Sequence, residues 1–161
     1  CGFGHWSIVL AKAGFRVKAV DISSEAIKRL QKWASEEGLS IDTDITPAQR
    51  INLEEEFDAI ICNSVLDHMP FADAMKVMYN IRNVLKIGGI AYISFDGLEE
   101  EGEDEFIVLD DGTRKYTKGE RKGMLWRFYT DDEIQVLCKD MEILEFIKKS
   151  NGKREIWVRK K

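Results

Sequence analysis

Cys1-Gly2-Phe3-Gly4-His5-Trp6 opens the chain, and Phe15-Arg16-Val17-Lys18-Ala19-Val20-Asp21 follows it closely; these two stretches decide the fold. The first is a glycine turn running into a short apolar helix, His5 to Ala13, with Gly14 as its C-cap. The second is a β-rich run that stops on an acid. Glycines at such a turn let backbone N–H groups and a helix N-terminus approach a ligand closely. Asp21 closes its strand at the crevice where doubly wound sheets bind nucleotides, and a carboxylate there accepts hydrogen bonds from ribose hydroxyls. The plainer alternative makes Gly2 and Gly4 a tight turn and Asp21 a helix-capping acid.

The alternation continues outward from this point. Ser23 or Ser24 caps the next helix, whose apolar positions Ala26, Ile27, Leu30, Trp33 and Ala34 recur at helical spacing. Gly38 stops it, and a short strand is predicted around Leu39 to Thr43. Phe57 to Cys62 reads as a strand buried on both faces. Phe71 to Leu85 carries an amphipathic stripe, and Gly88-Gly89 turns the chain into another buried strand, Ile90 to Phe95. Strands alternating with helices predict a parallel α/β sheet.

Beyond Phe95 the pattern changes. Residues 99–105 form an acidic run, and Phe106 to Leu109 and Met124 to Tyr129 read as strands joined by a basic stretch. Thr130-Asp131-Asp132-Glu133 is a capping box for a helix reaching about Lys139. Glu142 to Lys148 and Glu155 to Arg159 then flank Asn151-Gly152, a hairpin signal.

Bulk properties narrow the function. The 161 residues suit one domain, and a net charge of -5 argues against a general nucleic-acid binder. Lys148, Lys149, Lys153, Arg154, Arg159, Lys160 and Lys161 make a basic end, read as a solvated face or an RNA contact. No apolar run approaches the roughly 20 residues that span a bilayer, so no membrane partner is expected. Three scattered cysteines, with no zinc-type spacing, suit reduced thiols in the cytoplasm and no metal site.

Taken together, these landmarks resemble the class I, Rossmann-like S-adenosylmethionine-dependent methyltransferases along nearly the whole chain. Gly2-Phe3-Gly4 matches the latter part of their first motif, Asp21-Ile22 their ribose-binding acid, and Asp44-Ile45 the pair beside adenine. Phe57 to Asn63 followed by Val65-Leu66-Asp67-His68-Met69 is similar to their fourth strand and its loop. Leu85-Lys86-Ile87-Gly88-Gly89 resembles their Leu-Lys-Pro-Gly-Gly turn, with isoleucine in place of proline. Size and insert are similar to small-molecule members such as the tellurite-resistance and thiopurine types. A nicotinamide enzyme fits less well, because its fingerprint wants a glycine or alanine where this chain has Ser7.

The resemblance implies a doubly wound, mostly parallel sheet with a C-terminal antiparallel hairpin and the first strand missing from these residues. Its implied activity is methyl transfer from S-adenosylmethionine to a small-molecule acceptor by in-line displacement. A catalytically silent donor-binding or scaffold protein, and an RNA or protein methyltransferase, stand as alternatives. Gly2, Gly4, Asp21, Ile22, Asp44, Ile45 and Asn63 are the expected cofactor-binding residues, with Asp42 competing with Asp44 for the adenine position. On the acceptor side stand His68, as base or packing residue, and Tyr116, Trp126, Arg127 and Tyr129. Residues 96–129 are read as a substrate-side insert or lid within one domain, 1–161, the other reading being an edge hairpin in solvent.

Overall fold

The computed structural model describes residues 1–51, 56–97 and 105–161, so the expected acidic loop falls largely outside the described residues. The chain divides into two compact units, Cys1–Asn52 and Leu53–Lys161.

In the first unit, helix α1 (His5–Lys12) leads to strand β1 (Lys18–Asp21), helix α2 (Ser24–Glu36) and strand β2 (Asp42–Ile45). Ser23 is the residue that caps α2, its hydroxyl accepting from the Ala26 N–H. Both helices end in the same way: Phe15 N–H donates to Leu10 O after α1, and Leu39 N–H to Ala34 O after α2. β1 and β2 run parallel, with Val20 opposite Asp44 and Asp21 opposite Ile45. The strand thus lies later than the predicted 39–43, because Leu39 is spent closing α2 and Ile41 packs beneath it. Ile8, Ala19, Leu30 and Ala34 form the core, with Trp33, Leu39 and Ile41 against them.

Gly4 is the tightest point of this unit. Its φ of 90° is left-handed, and a Cβ there would lie 2.4 Å from Leu30 Cδ1. Only glycine meets both conditions, and the fully buried Leu30 itself contributes on the order of 2 kcal/mol of hydrophobic stabilisation.

In the second unit, strand β3 (Phe57–Asn63) precedes helix α3 (Phe71–Val84) and strand β4 (Leu85–Phe95). Three short strands follow, β5 (Phe106–Val108), β6 (Arg114–Tyr116) and β7 (Leu125–Trp126), then helix α4 (Asp131–Leu137) and the strands β8 (Glu142–Lys148) and β9 (Arg154–Arg159). The main sheet has the order β3-β4-β9-β8. β3 and β4 are parallel, whereas β9 is antiparallel to both β4 and β8, which is the expected closing hairpin. α3 buries Ala74, Val77, Met78, Ile81 and Val84. Thr130 and Glu133 form the reciprocal capping box of α4. Gly97 meets the hairpin turn so closely that a Cβ would lie 2.1 Å from the Asn151 carbonyl oxygen.

Three expectations change. β3 is not buried on both faces: only Cys62 is buried, since β3 has one strand partner, β4, among the described residues. β1 likewise has one strand partner, β2, among the described residues. β4 starts at Leu85 rather than Ile90, because Gly88 N–H and Gly89 O bond to Lys160 and keep the glycines in the sheet. The basic stretch after Gly112 itself contributes β6, the centre of a three-stranded antiparallel sheet, β5-β6-β7.

Gly4→Ala is expected to lower stability by about 1–3 kcal/mol through left-handed strain and the clash with Leu30. Urea unfolding followed by far-UV circular dichroism measures it, and a midpoint equal to wild type contradicts the account.

Candidate functional site

The sequence-predicted residues fall into two groups, one in each unit. In the first unit the centre is the Asp21 carboxylate. Its Oδ2 accepts from Gly2 N–H at 2.7 Å and from the Cys1 amino group at 2.8 Å, and its Oδ1 accepts from Ser23 N–H at 2.9 Å. Burial pulls the Asp21 pKa upward, but the Cys1 ammonium and the Ser23 and Gly2 amides outweigh it and hold the group below its ordinary value. The acid therefore fixes the glycine turn to the end of β1 while staying charged. A carboxylate offers about four acceptor positions, so one on Oδ1 remains open.

Around Asp21 lie the other expected residues of this group. Ile45 is its register partner at the end of β2, and Ile22 follows it directly. Both side chains are exposed, Ile22 at 69% and Ile45 at 54%, so the C-terminal end of this parallel pair presents apolar surface beside a fixed charge. Asp42 is tied to Lys18 at 2.9 Å at the opposite end of the strand pair. Asp44 stands one residue from the strand end, opposite Val20. No side-chain volume intrudes at Gly2, where a Cβ would meet nothing within 4 Å.

In the second unit the group begins where β3 ends. Asn63 lies opposite Ser94, whose hydroxyl donates to Asn63 Oδ1 at 3.0 Å. Ser64 follows with φ 47°, the one non-glycine residue at positive φ among the described residues. Its N–H donates to Ser94 Oγ at 3.0 Å, and its hydroxyl donates to Asp96 Oδ1 at 2.9 Å. These bonds hold a conformation that costs on the order of 1–2 kcal/mol. Ser64, Ser94 and Asp96 were missed in the sequence; the available signal was a polar Ser94 inside the apolar run Ile93 to Phe95.

The turn at Leu66–His68 is then gripped by residues 125–129. Arg127 N–H donates to Asp67 O at 2.7 Å, and Tyr129 OH donates to Leu66 O at 3.1 Å. His68 Nδ1 lies 3.3 Å from Leu125 O, and its ring meets Trp126 edge-on at 4.9 Å between centroids. A carbonyl only accepts, so this bond places the proton on Nδ1 and leaves the Nε2 lone pair of the exposed His68 free. Tyr116, Trp126, Arg127 and Tyr129 are all buried. Arg127 bonds to the Asp111 carbonyl and to Glu133, so its charge is spent inside the fold. The basic end is similarly occupied: Lys149 pairs with Glu155, Arg154 with Asp131 and Arg159 with Glu142.

Asp67 is the anomaly of this turn. Its side chain is fully buried, and no side chain among the described residues bonds to its carboxylate, which only the backbone amides of Asp67 and Asp96 approach. Burial first, and then the nearby Asp96 carboxylate, push its pKa up to about 7.

Comparison with known proteins follows the same landmarks. A family model described as a methyltransferase domain matches residues 1–89. Ubiquinone biosynthesis O-methyltransferase of Actinobacillus pleuropneumoniae serotype 5b is 33% identical over 100 residues, covering 58% of this chain and 42% of that protein. Its Haemophilus ducreyi counterpart is 30% identical over 160 residues, covering 91% of this chain and 66% of that one. The chain therefore spans between about two fifths and two thirds of the length of these relatives. Among solved structures, an S-adenosylmethionine-dependent methyltransferase from Clostridium acetobutylicum superposes with a TM-score of 0.79 at 18% identity, covering 99% of this chain and 80% of that one. TehB from Haemophilus influenzae gives 0.73 at 20% identity, covering 100% and 55%. At those identities the structures establish likeness of fold.

The Asp67 carboxyl makes stability depend on pH. Its raised folded-state value means that the native chain retains a proton that the unfolded chain loses near pH 4. The stability this contributes is fully present below about pH 4, falls as pH rises, and is gone above about pH 7, a loss of about 4 kcal/mol. Asp67→Asn, which stays neutral, should therefore gain on wild type between pH 4 and 7 and hold a constant lead above it. Thermal melts from pH 4 to 9 measure this, and parallel curves for the two proteins would refute the buried neutral acid.

Proposed function

The chain belongs to the methyltransferase-domain family, and we propose that it transfers a methyl group from S-adenosylmethionine to a hydroxyl oxygen of a small acceptor. The observation that carries this reading is the Asp21 carboxylate, fixed to the glycine turn at the end of a parallel strand and flanked by exposed isoleucines. Those features suit an adenosine group. The open lone pair on Oδ1 takes a ribose hydroxyl, Ile22 and Ile45 cover an adenine face, and Asp44 accepts from its amino group. The space at Gly2 admits the methionine end beside the backbone of the turn. Asn63, the remaining residue that the resemblance assigns to the donor, lies at the end of β3 in the second unit.

When bound, this donor supplies a methyl group on a positively charged sulfur with a thioether leaving group. The chain's own work is then positioning and proton removal, since in-line displacement depends on orientation and exclusion of water. His68 Nε2 is suited to accept the hydroxyl proton as the oxygen attacks, because Leu125 holds the opposite nitrogen as N–H. The relatives' names, ubiquinone biosynthesis O-methyltransferase, support an oxygen acceptor. This reading takes residues 1–161 as one catalytic domain with 96–129 on the acceptor side. Three unpaired thiols, two of them buried, support a cytoplasmic setting. No helix among the described residues is long and apolar enough to cross a membrane.

Asp21→Ala removes a charge-assisted contact worth on the order of 1.5–3 kcal/mol and should weaken S-adenosylhomocysteine at least about tenfold by calorimetry. An unchanged dissociation constant removes Asp21 from the donor site. His68→Gln should leave that constant unaltered and slow labelled-methyl transfer to a hydroxylated aromatic panel by about 100-fold. Donor binding with no transfer by wild type to any acceptor defeats the enzymatic reading and favours a silent donor-binding protein.

A further inference from the structure

The sheet β5-β6-β7 carries an arginine held between aromatic rings. The Arg114 guanidinium carbon lies 4.4 Å from the centre of the Phe106 ring and 5.0 Å from that of Phe128. Among the described residues it has no carboxylate partner and no hydrogen-bond partner, and these two rings are its interacting groups. Three acids of this part of the chain have other cations: Glu105 pairs with Lys118, and Asp111 and Glu133 with Arg127. Stacking fixes the plane of the guanidinium and leaves its N–H edge without an acceptor among the described residues, the geometry that suits bidentate capture of a carboxylate.

The register says what stands beside it. Arg114 pairs with Val108 on one side and Trp126 on the other, and Phe106 pairs with Tyr116. Directly opposed residues share a face, and so do residues two apart, so Phe106, Val108, Arg114, Tyr116 and Trp126 lie on one face of the sheet. Val108 is 63% exposed there and offers apolar surface next to the cation. Trp126, the neighbour on the other side, is the ring against which His68 stands. The anion-binding group and the proposed base thus flank the same tryptophan.

We propose that Arg114 is the specificity-determining residue of the acceptor site and that the acceptor is a small, partly apolar molecule bearing a carboxylate. This rests on the assignment of His68 to the acceptor side. The guanidinium binds the carboxylate edge-on, Val108 covers the apolar body, and the hydroxyl to be methylated is presented to His68.

The test uses the full chain and two near-isosteric probes, the anionic 4-hydroxybenzoate and the neutral 4-hydroxybenzamide, titrated by tryptophan fluorescence with S-adenosylhomocysteine present. Wild type should bind the acid at least about tenfold more tightly than the amide. Arg114→Gln should abolish that preference, and Arg114→Lys should retain part of it, because a charge remains without the planar fork. S-adenosylhomocysteine affinity, measured in parallel, should be equal in all three proteins and reports that the variants are folded. Lack of preference in wild type, including failure to bind either probe, overturns the proposal, as does a preference that survives in Arg114→Gln. An Arg114-dependent preference with no labelled-methyl transfer to any carboxylate-bearing phenol would uphold the anion site and sink the catalytic reading alone.

Discussion

A strand inside a sheet must hand each of its peptide N–H and C=O groups to a neighbour, and in the second unit Leu85–Phe95 bears that demand. It receives β3 in parallel on one side and β9 in antiparallel on the other. Leu85, Ala91, Ile93, Ser94 and Phe95 are almost wholly removed from solvent. The closing hairpin is thus a structural requirement: without β9, the most buried strand of the unit would leave one edge of its backbone unpaired. The same pairing sets the register that brings Ser94 beside Asn63 and Asp96 within reach of Ser64.

That register has chemical consequences at the end of β3. Ser64 is held in a left-handed conformation by bonds from its own backbone and hydroxyl, and the chain turns sharply into Leu66–His68. Residues 125–129 then grip this turn through one hydrogen bond at each of its three residues. Tyr129 and Arg127 are consequently interior supports, while His68 is the exposed member of the turn. A buried carboxyl with no side-chain partner among the described residues, Asp67, lies within the same turn and keeps its energetics sensitive to protonation.

Features set by neighbours in sequence were legible from the sequence. Ser23 and the Thr130–Glu133 box act within one helical turn, and both helix caps of the first unit depend on a glycine in the right place. Asp21 was legible because an acid ending a β-rich run after a glycine turn has few other uses. The pairing of Asp42 with Lys18 was not, because it is made across strands. β6 escaped because Arg-Lys-Tyr is short and charged and lacks the apolar alternation by which a strand is read. The exposure of β3 escaped because an apolar run reports what a strand can bury, whereas the number of its partners decides what it does bury.

Hairpin tips are ordinarily where a chain accepts foreign sequence, since they are exposed and few contacts cross them. The Asn151-Gly152 tip departs from that rule, because its carbonyl presses on Gly97, just beyond the end of β4. Epitope tags, reporter insertions and new termini made by circular permutation therefore belong elsewhere.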